Sequence, residues 1–171
     1  ILLPYAAQIA AEGIEWREKD KNVQKADTLG SLRRKAATIG DIDVLVGTSK
    51  VKGKSENVKV IEHFTKYPKA QKVIEAGEHS AAILLPGNVQ VDLLVSDTDA
   101  YGAALQHFTG SKHHNIALRE HALKKGLSLN EYGIKEIKNL KLKIKNFKDE
   151  ESFYNFLGIQ WIPPELREEQ G

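Results

Sequence analysis

The first half of the chain carries apolar residues at every second position or in short unbroken runs, which is the spacing of half-buried and buried strands. This pattern predicts strands over residues 23–29, 42–46, 80–85 and 89–95. Pro86-Gly87-Asn88 predicts a hairpin turn between the last two strands. Apolar residues at helical spacing predict helices over 4–16 and 55–67, and a short helix from Pro68 to Gly77. We therefore expect a sheet with helices packed on it up to about Ser96.

The pattern changes after Asp97-Thr98-Asp99, where helical spacing becomes dominant. The predicted elements of this half are helices over 100–109, 112–125 and 149–157 and short strands over 127–137 and 140–144. Gly110-Ser111 interrupts the first two helices, and Gly126 ends the second. The sequence therefore predicts an α+β fold with two domains. A mixed β-sheet with helices occupies residues 1–97, and a smaller α/β unit occupies residues 98–171.

Composition narrows the function classes only slightly. The chain has 171 residues, 41% of them hydrophobic and 28% charged, with a net charge of +2 and no cysteine. The absence of cysteine excludes disulfides, thiol catalysis and thiolate zinc sites. No apolar run has the length of a membrane span, so no membrane partner is expected. The lysines crowd into residues 50–59 and 135–148, which is consistent either with a solvated surface or with contacts to nucleic-acid phosphates.

Three aspartates are the strongest candidates for chemistry. Asp41 and Asp43 flank Ile42 at the start of a predicted strand, and residues i and i+2 of a strand point to the same face. Asp92 lies in the middle of another apolar strand, where a carboxylate is costly unless it is paired or binds a metal ion. If the two strands are neighbours, the three carboxylates meet. Mg²⁺ prefers such oxygen ligands, and the Gly30-Ser31 turn upstream offers N–H groups and a hydroxyl to phosphate.

These residues also resemble a known superfamily. Gly30-Ser31, Gly40-Asp41-Ile42-Asp43 and Val91-Asp92-Leu93 together resemble the palm of nucleotidyltransferases. The block at 101–112, YGAALQHFTGSK, resembles the nucleotide pocket of family X DNA polymerases, the DNA polymerase beta-like family. Asn115 and Arg119 follow at that family's spacing, and the stretches LNEYG at 129–133 and IPPELRE at 162–168 fit as well. The resemblance covers nearly the whole chain.

The resemblance implies roles for residues of the first domain. Asp41, Asp43 and Asp92 would be catalytic and would bind two Mg²⁺ ions, for which Mn²⁺ can substitute. Gly30, Ser31, Arg34 and Gly40 would bind the triphosphate of the incoming nucleotide. Arg33 is equally consistent with a salt bridge on the sheet surface. Asp92 would lie at the metal ion nearer the primer 3′-hydroxyl.

The resemblance also assigns residues of the second domain. His107, Phe108 and Gly110 would bind the nucleotide, with a backbone bend pressed against the sugar. Asn115 would hydrogen-bond the minor-groove edge of the incoming base or of its primer neighbour, and Arg119 would contact the template strand. The family commonly has tyrosine where this chain has His107, so strict exclusion of ribonucleotides is open. Lys112 departs from the acidic residue that the family often carries there, so that contact is not transferred.

The predicted function is a template-directed DNA polymerase core that adds dNMP from dNTP to a primer 3′-hydroxyl, filling gaps in DNA repair. Two alternatives remain: another nucleotidyltransferase, template-independent or acting on small molecules, and a non-catalytic DNA-binding module. The expected partners are primer-template or gapped DNA and dNTP. We expect a cytoplasmic monomer. We also expect the native chain to continue into an N-terminal helix-hairpin-helix region and a C-terminal phosphoesterase domain, with neither lyase nor exonuclease activity in this part.

Overall fold

A computed structural model describes residues 1–18, 20–49, 54–139 and 141–168. The chain divides into two compact units, Ile1–Thr98 and Asp99–Gly171. The elements of the first unit are α1 (Leu3–Glu18), β1 (Lys25–Thr28), α2 (Gly30–Arg33), β2 (Ile42–Thr48), α3 (Lys54–Thr65), β3 (Lys72–Ala76), β4 (Ser80–Leu85) and β5 (Val89–Asp97). Those of the second are α4 (Tyr101–Thr109), α5 (Lys112–Lys124), β6 (Leu127–Asn130), β7 (Gly133–Glu136) and α6 (Glu150–Phe156). Single 3-10 turns span Thr98–Ala100 and Pro164–Arg167. Among the described residues, no helix is both long and apolar enough to cross a membrane.

The first unit is built on a five-stranded mixed sheet with the strand order β1-β2-β5-β4-β3. β2 and β5 run parallel to each other, and the other neighbouring strands are antiparallel. The apolar run of β2 fits its place inside the sheet, because a strand with neighbours at both edges has few positions open to solvent. A parallel pair needs a long connection between its strands, and α3, β3 and β4 supply it here.

The core of this unit lies on one face of the sheet. Ile42, Val44, Val91 and Leu93 point into the same buried cluster, which also includes side chains of α1 and α3. Because side chains alternate between the two faces of a strand, the residues between these four point to the opposite face. Packing of the apolar face therefore also determines which polar side chains the other face presents.

Two predicted elements of the chain were wrong. The helix predicted from Pro68 to Gly77 is instead the edge strand β3, because the free edge of β4 offers its backbone groups and Val73-Ile74 is β-branched. The backbone N–H of Gly77 donates to Ser80 O at 2.8 Å and closes the turn into β4. The strand predicted over 140–144 is not formed by residues 141–144, which follow a turn, and Leu140 lies outside the described residues. The other predicted helices and strands are confirmed, with ends shifted by a few residues and with 127–137 split into β6 and β7.

A buried ion pair organises the second unit. Arg167 is 0% exposed and donates from Nη1 to Glu150 Oε2 at 2.7 Å and from Nη2 to Glu150 Oε1 at 3.2 Å. Its Nε donates to the carbonyl oxygen of Ile162 at 2.8 Å, and Trp161 Nε1 donates to Glu150 Oε1 at 3.2 Å. The pair thus fastens the IPPELRE segment to the first turn of α6. The two charges neutralise each other through these direct hydrogen bonds, without contact with solvent.

We expect Arg167→Met to lower the free energy of unfolding by about 3–5 kcal/mol, because it leaves the Glu150 carboxylate buried without its partner. The double variant Arg167→Met/Glu150→Gln should recover part of that loss, since neither charge then remains. Urea unfolding followed by circular dichroism measures both. Lys69→Met, which breaks the exposed Lys69–Glu12 pair, is the matched control and should change little. Equal losses from the buried and the exposed pair would contradict this account.

Candidate active site on the sheet and a polar junction in the second unit

Asp43 and Asp92 lie side by side on the two parallel central strands. The register of β2 and β5 pairs Ile42 with Val91, Asp43 with Asp92 and Val44 with Leu93. The apolar members of this register are buried in the core, so both aspartates point to the opposite face, where each is half-buried. The expectation that these two strands are neighbours is confirmed. Gln90, two residues before Asp92 on the same face, donates from Nε2 to Asp92 Oδ1 at 2.8 Å.

The Gly30-Ser31 turn reaches the same carboxylate. The backbone N–H of Leu29 donates to the carbonyl oxygen of Asp43 at 2.8 Å and places the start of α2 beside β2. Gly30 has a φ of +55°, and a Cβ at this position would lie 3.4 Å from Asp43 Oδ2. A glycine is favoured here because the backbone is left-handed and approaches the carboxylate closely. Ser31 and Arg34 follow on α2 and are half-buried, while Gly40 is exposed.

The two carboxyl groups lie close enough to share a hydrogen bond. Burial, the hydrogen bond and charge of Asp92 and the charge of Asp41 together raise the pKa of Asp43 to about 7. Such a raised pKa means that the folded protein disfavours the charged form of Asp43. A divalent cation would reverse this penalty, so the donor set fits a hard metal ion with oxygen ligands.

Asp41 differs from the other two aspartates in its exposure and in its place outside the strands. It is exposed and lies one residue before β2 begins. Within the described ranges, no three aspartate, glutamate or histidine side chains are grouped closely enough to hold an ion. The structure therefore brings Asp43 and Asp92 together, whereas a three-carboxylate metal site that includes Asp41 stays a prediction.

In the second unit, the end of α4 and the first turns of α5 form a polar junction. Asn115 Nδ2 donates to the carbonyl oxygen of His107 at 2.8 Å, and Gln106 Nε2 donates to Asn115 Oδ1 at 2.7 Å. Ser111 caps α5 by accepting from the backbone N–H of His114 at 3.3 Å. One N–H and one lone pair of the Asn115 amide remain beyond these two bonds, so the side chain can still meet another polar group.

His107 and Phe108 occupy the last turn of α4, and both are half-buried. Their rings meet edge to face with centroids 4.8 Å apart, and His107 Nε2 lies 3.8 Å from Glu131 Oε2. Burial lowers the pKa of His107 below its ordinary value, although the charge of Glu131 opposes this shift. Gly110 continues the chain with a φ of +69°.

The remaining predicted site residue, Arg119, is exposed on α5. Three side chains that contact the predicted residues were not found by sequence reasoning: Gln90, Gln106 and Glu131. The period-2 spacing of Gln90 and Asp92 on one strand could have indicated the first. Glu131 contacts His107 only through the fold, and no local pattern signals that contact.

The mixed sheet with paired carboxyl groups on adjacent parallel strands, followed in sequence by a smaller α/β unit, has the fold of the palm and thumb domains of the polymerase beta type. Residues 7–81 match the family described as DNA polymerase beta palm, and residues 104–168 match DNA polymerase beta thumb. The chain is 32% identical over 166 residues to the DNA polymerase/3'-5' exonuclease PolX of Bacillus subtilis (strain 168). The chain therefore belongs to the family X DNA polymerases of the DNA polymerase beta type.

The chain spans only about a quarter of the length of the Bacillus protein that it matches. The alignment with the Bacillus protein covers 96% of this chain but only 28% of that protein. Asp92 lies between the two matched regions, so its place rests on the register of β5 with β2 rather than on either family match.

The raised pKa of Asp43 predicts that the stability of the metal-free protein depends on pH. Below about pH 4 the Asp43 carboxyl is protonated in both the folded and the unfolded protein, so its burial does not lower the free energy of unfolding. Between about pH 4 and 7 the unfolded chain releases this proton while the folded protein keeps it, so stability falls and stays lower above pH 7. In EDTA, the unfolding free energy of the wild type relative to that of Asp43→Asn should fall by about 2 kcal/mol over this range, roughly half of the ~4 kcal/mol for three pKa units, because the carboxyl is partly exposed to solvent.

Urea unfolding at a series of pH values measures that difference, and subtracting the Asn variant removes the other titrating groups. Added Mn²⁺ should abolish the loss in the wild type, because a bound cation stabilises the ionised carboxylates. A difference that stays constant with pH would contradict the interpretation of Asp43.

Proposed function

We propose that the chain is the catalytic core of a template-directed DNA polymerase that adds dNMP from dNTP to a primer 3′-hydroxyl. We further propose that it acts on gapped DNA in repair, which fits a cytoplasmic, nucleoid-associated enzyme. The observation that carries the proposal is the pairing of Asp43 with Asp92 beside the Gly30 turn. Membership of family X supports it for the chain as a whole, since both the palm and the thumb regions match.

Asp41, Asp43 and Asp92 would hold Mg²⁺, with Mn²⁺ as a substitute. When bound, such ions supply positive charge for the triphosphate and favour ionisation of the primer hydroxyl. The fit rests on the raised pKa of Asp43 beside Asp92, because a divalent cation would favour the ionised form that burial and the neighbouring carboxyl disfavour. Gln90 holds the Asp92 carboxylate in place through its 2.8 Å hydrogen bond.

The residues of the first unit bind the triphosphate of the incoming nucleotide and accept the proton of the primer 3′-hydroxyl. The backbone at Gly30 and the hydroxyl of Ser31 orient the triphosphate, and Arg34 adds positive charge to it. Asp92 accepts the proton of the primer 3′-hydroxyl, whose oxygen attacks the α-phosphorus. The bond from the α-phosphorus to the bridging oxygen breaks in line, and pyrophosphate leaves with the electron pair. No side-chain nucleophile is needed.

The residues of the second unit contact the incoming nucleotide and the base pair that it forms with the template. His107, Phe108 and the Gly110 bend contact the sugar. Asn115 donates to the minor-groove edge of the incoming base or of its primer neighbour, and Arg119 contacts the template strand. Minor-groove acceptors are similar for all base pairs, so these contacts test pair geometry rather than sequence.

Extension of a primer across a one-nucleotide gap, with the template base varied, tests the proposal. We expect addition of the complementary nucleotide in Mg²⁺ or Mn²⁺ and a loss of about a thousandfold or more in Asp43→Asn and Asp92→Asn, the size of effect seen when charge stabilisation of a transition state is removed. Glu62→Gln, a change of one exposed carboxylate on α3, is the matched control.

The outcomes separate the alternatives. Addition that ignores the template base would indicate a terminal-transferase-like enzyme. Tight DNA binding with no addition, unchanged in both aspartate variants, would indicate a binding module and would overturn the proposal.

His107→Tyr tests sugar selection. A phenol ring reaches farther toward the nucleotide sugar than the imidazole does, so we expect the preference for dNTP over rNTP to rise roughly tenfold, as steric pockets do for one small group. Single-turnover incorporation of dCTP and CTP opposite the same template base measures the ratio. His79→Tyr, at an exposed turn of the first unit, is the control. An unchanged ratio would show that His107 does not contact the sugar.

A further inference from the structure

Residues 135–148, called the lysine segment below, concentrate the positive charge of the chain. They contain six lysines and one acidic residue, Glu136, for a net charge of +5. Of the 25 basic and 23 acidic residues in the chain, this leaves 19 basic and 22 acidic residues elsewhere, a net charge of −3. A nearly neutral protein thus carries its excess positive charge in one short stretch. Local charge of this kind attracts an anionic partner.

The backbone fixes how part of this segment is presented. Lys145 exchanges two hydrogen bonds with Ile134 of β7, at 3.0 and 2.8 Å. A Cβ at Gly133 would lie 3.4 Å from Ile144 Cγ1, so Ile144 packs against β7. Lys143 and Lys145, one residue to either side of Ile144, are both exposed.

The other lysines of the segment extend this surface. Lys138, Lys141 and Lys148 are exposed as well, and Lys135 is half-buried on β7. The charge and the exposure of these lysines fit a phosphate backbone.

An exposed aromatic ring adjoins these lysines. Lys145 Nζ lies 5.1 Å from the ring centroid of Phe156, a residue that is 42% exposed. Unpaired bases stack on such rings, whereas the bases of a duplex are already stacked on one another. The combination of clustered, exposed lysines and an exposed ring therefore favours a single strand over a duplex.

We propose that the lysine segment and Phe156 bind single-stranded DNA, with the lysines on its phosphates and Phe156 stacked on a base. The strand is the unpaired template, an identification that rests on the proposed polymerase function. The surface shares no residue with the Asp43–Asp92 pair or with the His107–Asn115 junction, and it would add affinity for DNA without reading sequence.

Fluorescence anisotropy with a labelled oligo-dT and with a blunt duplex of the same length tests this proposal. The variant Lys141→Gln/Lys143→Gln/Lys145→Gln should bind oligo-dT at least tenfold more weakly. Its slope of log K against log salt should fall by about 2, because each neutralised phosphate of a single strand contributes roughly 0.7 to that slope. The matched control removes three exposed lysines of the first unit, Lys21→Gln/Lys66→Gln/Lys72→Gln, and should leave both values unchanged.

Phe156→Leu tests the stacking contact. It should weaken oligo-dT binding severalfold without changing the salt slope, since no charge is removed. Equal losses in the two lysine triple variants would show only a general charge effect and overturn the proposal. A duplex affinity that falls as much as the oligo-dT affinity would overturn the assignment to single-stranded DNA.

The binding measurements are made in EDTA, so they are independent of nucleotide transfer. Loss of oligo-dT binding in the lysine-segment variant alone would support the surface even if the gap-filling assay fails. Gap filling by a chain whose oligo-dT binding is unaffected by the lysine-segment substitutions would leave the polymerase proposal standing and overturn this one.

Discussion

The parallel register of β2 and β5 is the constraint on which the first unit depends. It places the carboxyl groups of Asp43 and Asp92 opposite each other, and the apolar residues on either side of each carboxyl fix that register in the core. A shift of one residue would turn the aspartates into the core and Val44 and Leu93 out of it. Hydrophobic packing therefore holds the two carboxyl groups close together and partly buried, which disfavours the charged form of Asp43. A bound cation would favour that charged form.

Three examples among the described residues show how differently buried or half-buried charged groups are accommodated. The charges of Arg167 and Glu150 neutralise each other through two direct hydrogen bonds in a buried pair. Arg17 lies 4.1 Å above the ring of Phe64, and burial lowers its pKa to about 10. Asp43, by contrast, faces a like charge. Of the three, only the carboxylate pair is arranged so that a cation improves it, which is why function is assigned to it rather than to the two arginines.

The sequence predicted much of the fold because the relevant signals are local. The apolar run of β2, the Pro86-Gly87-Asn88 turn and the Gly110-Ser111 break each act over a few residues, and each marks an element that the structure contains. The prediction failed at β3, where every residue is exposed and no periodic burial marks the strand. The free edge of β4 decides that conformation, and this edge exists only after the sheet has formed. Residues 141–144 were also predicted wrongly from local signals. They begin with a turn and lead into the isolated β-bridge between Lys145 and Ile134, a contact that only the folded unit provides.

In the candidate site as well, local sequence signals predicted some features and tertiary contacts decided the others. The sequence by itself determined which residues are available: two aspartates around Ile42, a third in an apolar strand, and a glycine turn upstream. These follow from residue type and period, which the chain carries before it folds. The tertiary structure alone decided that Asp43 rather than Asp41 faces Asp92, that Gln90 holds the Asp92 carboxylate, and that Glu131 lies beside His107. Strand order, register and helix packing bring together groups that are distant in the chain, and only the free energy of the whole core selects among those arrangements.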